Sequence, residues 1–439
     1  MLGGRGSSIA LAAGILLHLL FVASLFGQFL NPLFLEAEHC PGQAADYFGI
    51  WQAGDNLLHG VSIYDSQDWK NEAVRRVPYF YFYRYLPPTA YVAAVGAWLL
   101  DPWTSYVLWA ALIEALLVAI VVWILRMRAF PLAERRWQAA VWLGFTPFYL
   151  EQWMGQFSFL MAALLWIVLR PTLPDRPRQA REDTPRGAAF VSWAASIAIK
   201  SYPALFALPY LRRGRWRPVA LCAAAVVLVS APYYLARPDD VGQFLRLNFH
   251  GLPPRILGGS LGASALVRFL GWTMPSEFAS KLLVLGPGDI FVGNVPVAIW
   301  NLLVAIPAAW MTWKRGREAP LRQLLCLWVL AFFLVFKDVW EYHYVMLLPA
   351  LTVLALGERS RFVLAMSILL ALPTPYALVA GHDGSLSWLG SLLQHLSKPL
   401  PAIALYVWLL LRLRRPEEEA GWETPEGARL GGKTSGGGV

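Results

Sequence analysis

Residues 9–30 read IALAAGILLHLLFVASLFGQFL, a run of 22 residues without a single Lys, Arg, Asp or Glu. A helix needs about 20 apolar residues to cross the hydrocarbon core of a bilayer. The run is also longer than the apolar core of a signal peptide, which has about 7–15 residues, although a cleaved signal is the alternative interpretation. The stretch therefore predicts a first membrane-spanning helix.

Apolar runs of this kind recur along all 439 residues, of which 57% are hydrophobic and 15% are charged. Soluble domains carry about 25% charged residues. Within lipid, only helices and closed barrels satisfy every backbone hydrogen bond. The sequence thus predicts an all-α polytopic membrane protein. Of its three cysteines, Cys40, Cys222 and Cys326, the last two lie in apolar runs, as expected of buried thiols without a metal.

The net charge of +9 comes largely from short basic clusters that separate the apolar runs. These clusters hold 25 of the 37 Lys and Arg residues; they lie at Arg5, 126–136, 170–186, 212–217, 314–322, 359–361 and from Arg412 onward. Loops on the cytoplasmic side of a membrane are rich in Lys and Arg. The clusters therefore indicate membrane orientation rather than a nucleic-acid-binding surface, and they predict that both termini are cytoplasmic.

With every basic cluster inside, the chain alternates consistently if it crosses the membrane about twelve times. The predicted crossings lie near 9–30, 104–125, 138–150, 157–169, 188–199, 203–211, 218–235, 290–313, 323–336, 344–357, 362–379 and 399–411. Several are shorter than a full span, and short helices typically flank a water-filled cavity. We predict one membrane domain over 1–415, with outer loops near 31–103 and 236–289, and a disordered cytoplasmic tail over 416–439.

Two segments decide the details of this topology. One uninterrupted helix over 188–211 would place LRRGRWR outside, so we predict two short helices that meet at IKSYP, residues 199–203. The apolar segment 87–100 cannot be a crossing without turning RMRAFPLAERR outward. We predict that it forms a re-entrant or interfacial helix after the first outer loop.

The polar residues of this apolar chain collect in the predicted outer loops. These residues are Asp46, Asp55, Glu151, Gln156, Lys200, His250, Arg255, Lys337, Asp338, Glu341 and His343. A channel would distribute them along a pore, and a proton-coupled transporter would place them near the midplane. Taken singly, Asp46 could be a helix cap, Lys200 could extend to the headgroups, and Glu341 and His343 could lie in a solvated turn. Their convergence favours a site at the outer mouth.

Motifs of soluble enzymes are absent from the sequence. There is no P-loop, no G-x-G-x-x-G that opens a helix, no H-E-x-x-H and no G-x-S-x-G, and LGGSLGAS at 257–264 lacks the Lys of a phosphate loop. A D-x-D pair that would hold a metal-bound nucleotide is also absent. We therefore expect no metal site, no cofactor and no nucleotide-sugar donor.

Five ordered segments resemble glycosyltransferase family 87. They are DYFGIWQAGDNLLHGVSIYD at 46–65, YRYLPPTAYVAAVGAWLL at 83–100, the Gly-Gln of WMGQFSFLMAALL at 153–165, AASIAIKSYPALFALPYLRRGRWRP at 194–218 and YHYVMLLPALTVLAL at 342–356. Residues 236–289 match less well, apart from GGSLGASALVRFLG. The resemblance implies a GT-C-type membrane fold and a polyprenyl-phosphate-mannose donor.

The resemblance also implies roles for individual residues. Asp46 matches the acidic catalytic base of the first outer loop, with Asp55 as the second candidate. The leaving phosphate needs cations or hydrogen-bond donors, for which Lys200, Arg255, Arg268 and His343 are candidates. Gln156, His250, Glu341 and Asp55 complete the expected substrate-binding set. One placed carboxylate implies inversion in a single displacement.

The resulting expectation is a multi-pass enzyme of the cell (inner) membrane with its active site on the outer face. It would transfer a sugar, with mannose as the family expectation, to a glycolipid or glycan acceptor. Two alternatives stay open on the sequence alone: a transporter or flippase of lipid-linked sugars, which needs no positioned base, and a non-catalytic membrane scaffold whose polar loops bind partners.

Overall fold

The computed structural model describes residues 4–64, 76–173, 187–249, 260–272, 295–336, 339–381 and 384–414. Within these ranges the chain is almost entirely helical, and the extended pairing is limited to an isolated bridge between Ala380 and Leu386. The predicted all-α class is thereby confirmed. The predicted cytoplasmic tail lies outside the described residues.

The first half of the chain folds into helices of different lengths. They are α1 (Gly4–Gly27), α2 (Leu35–His39), α3 (Ala45–Leu58), α4 (Pro87–Leu99), α5 (Pro102–Leu125), α6 (Leu132–Leu143), α7 (Pro147–Met154), α8 (Ser158–Leu169), α9 (Ala188–Ile199) and α10 (Ala207–Arg212). Short 3₁₀ turns cover Asn31–Leu33, Arg170–Thr172 and Tyr202–Phe206.

The second half continues with α11 (Trp216–Ala236), α12 (Asp239–Phe249), α13 (Ala263–Trp272), α14 (Val295–Arg315), α15 (Leu321–Val335), α16 (Leu348–Glu358), α17 (Arg361–Ala371), α18 (Tyr376–Val379), α19 (Trp388–Ser397) and α20 (Pro399–Arg414). A 3₁₀ segment, Glu341–Leu347, leads directly into α16.

Among the residues that the structure describes, five helical stretches are long and apolar enough to cross a membrane: Gly4–Gly27, Pro102–Leu125, Trp216–Ala236, Pro296–Arg315 and Trp388–Arg414. A sixth span is possible if the bent pair Pro147–Met154 and Ser158–Thr172, with an angle of 120°, counts as one crossing. Ala188–Ile199, Leu321–Val335 and Arg361–Ala371 are apolar but shorter. These helices confirm a polytopic membrane protein, whereas the total of twelve crossings stays a prediction.

Both details of the predicted topology find a structural counterpart. Helix α9 ends at Ile199, and a 3₁₀ turn follows Lys200, so the predicted break between two short helices is confirmed. Helix α4 has 13 residues, about 20 Å in length, which is too short for a hydrocarbon core of about 30 Å. It packs on α3 and exposes Val92 and Trp98 on its other side, as an interfacial helix would.

The main hydrophobic core lies among α8, α15 and α16, which are buried along nearly their full length. The indole N–H of Trp142 donates a hydrogen bond of 2.7 Å to the Thr352 hydroxyl within it. Cys222 and Cys326 are buried free thiols, as predicted. This rigid core carries the N-terminus of α8 and the 341–347 segment, which contact α7 and lie next to α3.

Candidate active site

The backbone around Ala44 fixes where α3 begins. Ala44 adopts a left-handed conformation with φ of 65°, which costs roughly 1–2 kcal/mol for a residue with a Cβ atom. Its N–H donates a 2.8 Å hydrogen bond to the carbonyl of Trp153, near the end of α7. Asp46 then stands in the first turn of α3, where an acidic side chain interacts favourably with the helix dipole. The strained residue thus anchors Asp46 against α7.

Gly155 brings Gln156 to the same place. Gly155 ends α7 with φ of +69°, and a Cβ atom there would lie 2.5 Å from Cβ of Tyr47. Only glycine combines this conformation with so close an approach. Gln156 follows directly, and its side-chain amide interacts with the carboxyl of Asp46 and lowers the pKa of that carboxyl. Gly155 and Gln156 therefore bring the end of α7 close to the start of α3.

The hydrogen bonds around Gln156 fix which atoms face Asp46. The Tyr85 hydroxyl donates to Gln156 Oε1 at 2.9 Å, and the N–H of Phe157 donates to the same oxygen at 3.1 Å. The NH₂ group of Gln156 is therefore the part that donates to Asp46. The amide holds the carboxyl in one orientation.

Asp46 itself is only partly exposed, and its Oδ2 atom is buried without a hydrogen-bond partner among the residues described. Burial raises the pKa of Asp46 to about 6, while the Gln156 hydrogen bond and the positive charges of Lys200 and Arg84 limit the rise. A carboxyl with a pKa near the working pH and one free oxygen is suited to accept a proton.

Lys200 supplies a cation beside this carboxyl. It follows the last residue of α9, and its Nζ donates a 3.0 Å hydrogen bond to Ser158 Oγ. Glu151 lies next to Ser158, and its Oε1 accepts the N–H of Phe159 at 2.8 Å. Burial lowers the pKa of Lys200, and the carboxylates of Glu151 and Asp46 oppose that shift. The broken helix 188–211 thus delivers an ammonium group to the buried acids.

Three predicted site residues, Asp46, Gln156 and Lys200, therefore come together. They do so with Glu151, which the sequence analysis placed in an outer loop without assigning it a role, and with three residues that it did not select: Arg84, Tyr85 and Ser158. The arrangement combines a proton acceptor with a neighbouring cation, the two groups that hydroxyl attack on a phosphate-activated carbon needs. In the part of the chain that the structure describes, no group of three His, Cys, Asp or Glu residues could hold a metal ion.

Glu341 belongs to a different buried cluster. Its side chain is fully enclosed; it accepts hydrogen bonds from Thr374 N–H at 3.0 Å and Thr374 Oγ1 at 2.8 Å, and lies 3.3 Å from the ammonium of Lys398. Its own N–H donates to Glu36 Oε1 at 3.0 Å. This set fixes the start of the 341–347 segment. The carboxylate of Glu341 therefore faces Lys398 and Thr374 rather than Asp46.

Tyr342, the next residue, links the two clusters. It is buried and lies within electrostatic range of Asp46 and Glu151 on one side and of Glu36 on the other. The ring of His343 stacks obliquely beside it, with 4.5 Å between ring centroids, and His343 Nδ1 accepts the N–H of Trp340. The YHY stretch is thus close to the candidate site, with Tyr342 as the residue nearest to the acids.

Asp55 lies outside this group of residues. Asp55 is nine residues beyond Asp46, about 13.5 Å along α3, and pairs at 3.4 Å with both His59 and Arg76. The structure therefore separates it from Asp46. Arg268 lies on α13, while His250 and Arg255 are outside the described residues.

The sequence contains only weak indications that these additional residues belong to the site. Arg84 and Tyr85 lie in PYFYFYRYLPP, a stretch whose aromatic residues are more typical of a membrane interface. Glu151 was among the polar residues of the predicted outer loops, but nothing in the sequence assigned it a role. Ser158 carried no signal, because a serine at a helix start is most simply a cap.

Comparison with known proteins identifies the family of this chain. The profile described as Glycosyltransferase family 87 matches residues 82–337, more than half of the chain. A polyprenol-phosphate-mannose-dependent alpha-(1-2)-phosphatidylinositol mannoside mannosyltransferase from Mycolicibacterium smegmatis is 28% identical over 327 residues, which cover 67% of this chain and 68% of that protein.

Among solved structures, the apo crystal structure of ArnT from Cupriavidus metallidurans aligns with 90% of this chain and 76% of its own, at 18% identity and a TM-score of 0.41. The resemblance noted in the sequence is confirmed by the family match. The chain belongs to glycosyltransferase family 87.

Proposed function

We propose that this membrane glycosyltransferase moves a mannosyl group from a polyprenyl phosphate to a hydroxyl acceptor, with Asp46 as the general base. The observation that carries the proposal is the buried, unpartnered Oδ2 of Asp46 beside the Lys200 ammonium. The mannose donor is suggested by the name of the 28% identical relative. The acceptor is a glycolipid or glycan at the same membrane surface.

The proposed reaction is one inverting displacement. Asp46 Oδ2 takes the proton of the acceptor hydroxyl while that oxygen forms a bond to the anomeric carbon. The bond between the anomeric carbon and the phosphate oxygen breaks, and the electron pair leaves with the polyprenyl phosphate. Lys200 and Arg84 oppose the added negative charge on the phosphate. Gln156 orients the carboxyl throughout.

The proposed setting is the outer face of the cell (inner) membrane, in a domain of about twelve crossings over 1–415. It is supported by the basic clusters between apolar runs and by the position of α4, whose exposed apolar face suits the bilayer interface. A donor with its lipid chain in the membrane holds its phosphate at headgroup depth. Asp46 and Lys200 lie at helix ends, where such a phosphate is accessible.

The test compares purified parent, Asp46→Asn and Asp101→Asn proteins in lipid nanodiscs supplied with radiolabelled polyprenyl-phosphate mannose and a lipid extract. Asn keeps the size of Asp46 and removes its basicity. We expect transfer to fall about 10²–10⁴-fold in Asp46→Asn, with donor affinity within a few-fold of the parent.

Asp101→Asn is the control, because Asp101 is an exposed N-cap of α5 and Asn caps equally well. It should retain parental transfer. Turnover by Asp46→Asn within a few-fold of the parent would rule out Asp46 as the general base. Movement of the donor across the bilayer without any new glycosidic product would instead indicate a flippase.

A further inference from the structure

A second cavity, the distal cleft, lies where the end of the first outer loop meets the turn between α11 and α12. It has a volume of about 640 Å³ and is lined by Ser62, residues 236–240 and Gln243. Small-molecule sites in proteins typically measure about 300–1,000 Å³ and have mainly apolar walls. Polar side chains dominate this lining instead, with two carboxyls, a guanidinium, an amide and a hydroxyl. Such walls suit a ligand that is covered with hydroxyl groups.

Asp240 is the central group of the distal cleft. The residue is only 4% exposed, and its Oδ2 accepts hydrogen bonds from Ser62 Oγ at 2.7 Å and from the Tyr233 hydroxyl. Its other oxygen, Oδ1, accepts no hydrogen bond from the residues described and is left to the cleft that Asp240 lines. A carboxylate oxygen that the protein leaves without a partner accepts a hydrogen bond from a ligand that enters the cleft. A sugar hydroxyl can donate such a bond.

The surroundings hold this carboxylate in place before any ligand arrives. The Tyr233 hydroxyl accepts the N–H of Ile63 at 2.9 Å, and Ser62 Oγ accepts the N–H of Tyr64 at 3.1 Å. Arg237 donates to the carbonyl of Gly60 on the cleft's other side. A preorganised site loses less entropy on binding than one that must first be ordered.

Two tyrosines connect the distal cleft to the candidate active site. The Tyr64 hydroxyl donates to the carbonyl of Tyr85 at 2.9 Å, and the Tyr85 hydroxyl reaches Gln156 beside Asp46. Helix α3 extends over about 18 Å between Asp46 and Leu58, shortly before Ser62. Ser62 comes four residues after the C-terminal end of α3, whereas Asp46 is in its first turn, so the cleft lies at the end of α3 opposite the base.

We propose that the distal cleft is an acceptor subsite that binds a sugar ring of a glycan several units away from the hydroxyl that is glycosylated. The inference rests on the proposed function, since it supposes that Asp46 marks the reacting end. It narrows the acceptor class to a molecule with an extended carbohydrate part. Asp240 Oδ1 accepts from the ring hydroxyls, and Gln243 and Arg237 donate to them.

The test is direct binding, without donor and without turnover. Linear mannotetraose and methyl mannoside are titrated separately by calorimetry against the purified chain in nanodiscs, with Asp240→Asn as the variant. Asn can turn its carbonyl oxygen to Ser62 and Tyr233 and so keep both internal hydrogen bonds, while its NH₂ replaces the acceptor that faces the cleft. Arg246→Gln on the same helix is the control, because Arg246 is exposed and bonds only within α12, to Gly242.

In the parent protein, mannotetraose should bind more tightly than methyl mannoside. Asp240→Asn should weaken mannotetraose binding about 10- to 100-fold, the effect of losing a hydrogen bond to a charged group, and Arg246→Gln should not. Equal mannotetraose affinity in parent and Asp240→Asn, at equal thermal midpoints, would overturn the proposal, as would a parent that binds no mannotetraose.

A calcium titration under the same conditions provides a further check. Saturable calcium binding that Asp240→Asn abolishes would assign the cleft to a cation and also overturn the proposal. The outcome does not depend on catalysis. If no preparation transfers mannose while mannotetraose still binds, that result contradicts the proposed function and leaves the proposed subsite unaffected.

Discussion

The N–H of Ala44 donates a 2.8 Å hydrogen bond to the carbonyl of Trp153, so the residue that precedes α3 is fixed to the helix that ends at Gly155. Residues more than a hundred positions apart are thereby held within reach of one another. Asp46 and Gln156 meet because each lies two or three residues beyond this bond. The candidate site is thus organised by backbone contacts, and several of its properties can be tested.

The first prediction concerns the pH dependence of transfer. Asp46 must be ionised to accept a proton, and its pKa is raised to about 6 by burial. We expect kcat/KM to rise about tenfold per pH unit below pH 6 and to level off above it. A decline at alkaline pH should follow as Lys200, whose pKa is lowered by burial, loses its charge. A rate that is constant from pH 4.5 to 7.5 would contradict the role of Asp46.

The second prediction concerns stability. The pKa of Asp46 rises from 3.8 to about 6 on folding, so its carboxyl stabilises the folded state below about pH 4, and this contribution is lost as the pH rises through 6. Asp46→Asn should therefore be more stable than the parent at pH 7.5, by about 1–2 kcal/mol after allowance for partial exposure.

At pH 3 the two proteins should unfold at similar temperatures, because Asp46 is then mostly protonated in both states of the parent. Thermal unfolding in nanodiscs at the two pH values measures the difference. A lower midpoint for Asp46→Asn at pH 7.5 would show that the ionised carboxylate is stabilised by partners in the fold.

The third prediction concerns Lys200. Lys200→Met keeps most of the aliphatic length and removes the charge that opposes the rise in the Asp46 pKa. Donor affinity should fall about 10- to 100-fold, as for a lost charge-assisted hydrogen bond. The acid limb of the pH–rate profile should also move above pH 6. Lys314→Met, at an exposed position at the end of α14, serves as the control. Unchanged donor affinity in Lys200→Met would exclude contact with the phosphate.

The fourth prediction concerns Gly155. An alanine there would adopt the φ of +69° at a cost of about 1–2 kcal/mol and would also place its Cβ 2.5 Å from that of Tyr47. Gly155→Ala should lower both the thermal midpoint and transfer, the latter by at least about tenfold. Gly214→Ala is the matched control, since φ is +72° but nothing lies within 4 Å of its Cβ position. Equal transfer by the two variants would show that the close approach to Tyr47 is dispensable.

The fifth prediction concerns orientation. In a Cys40→Ser background, a cysteine at Gly242 should react with a membrane-impermeant maleimide added to intact cells, and one at Lys314 should not. Both positions are exposed, and a Cβ at Gly242 meets no neighbour. Cys222 and Cys326 are buried and should not react with the maleimide. Labelling of Lys314 from outside, with Gly242 protected, would invert the proposed topology.

The sequence anticipated the features that depend on local hydrophobicity and charge. The break at Lys200 followed from the basic cluster LRRGRWR, which requires an even number of crossings before it. The short helix within 87–100 followed from the same rule, and its location at the membrane interface stays a prediction. Asp46, Gln156 and Lys200 were selected from the outer loops and the family resemblance, and the structure brings these three together.

The grouping of the remaining acids was not predictable in this way. Glu341 and Glu151 are both acids of predicted outer loops, yet one pairs with Lys398 and the other lies beside Ser158 and Lys200. A fully buried ion pair is tolerated only where hydrogen bonds complete it, as Thr374 does for Glu341. Which acid receives which cation depends on helices that are distant in sequence.

The amino-acid sequence by itself determined that this chain is an all-helical membrane protein of glycosyltransferase family 87 with Asp46 as its leading catalytic candidate. Composition and basic clusters suffice for the helical membrane class, because the bilayer imposes its requirements on each segment separately. The family and the candidate role of Asp46 came from the resemblance of five ordered segments. Only the tertiary structure decided that Asp46, Gln156 and Lys200 form one site, that Asp55 and Glu341 do not join it, and that Asp240 leaves an oxygen to a second cleft. These groupings arise from glycine-mediated helix contacts and long-range hydrogen bonds, which no periodicity in the chain encodes.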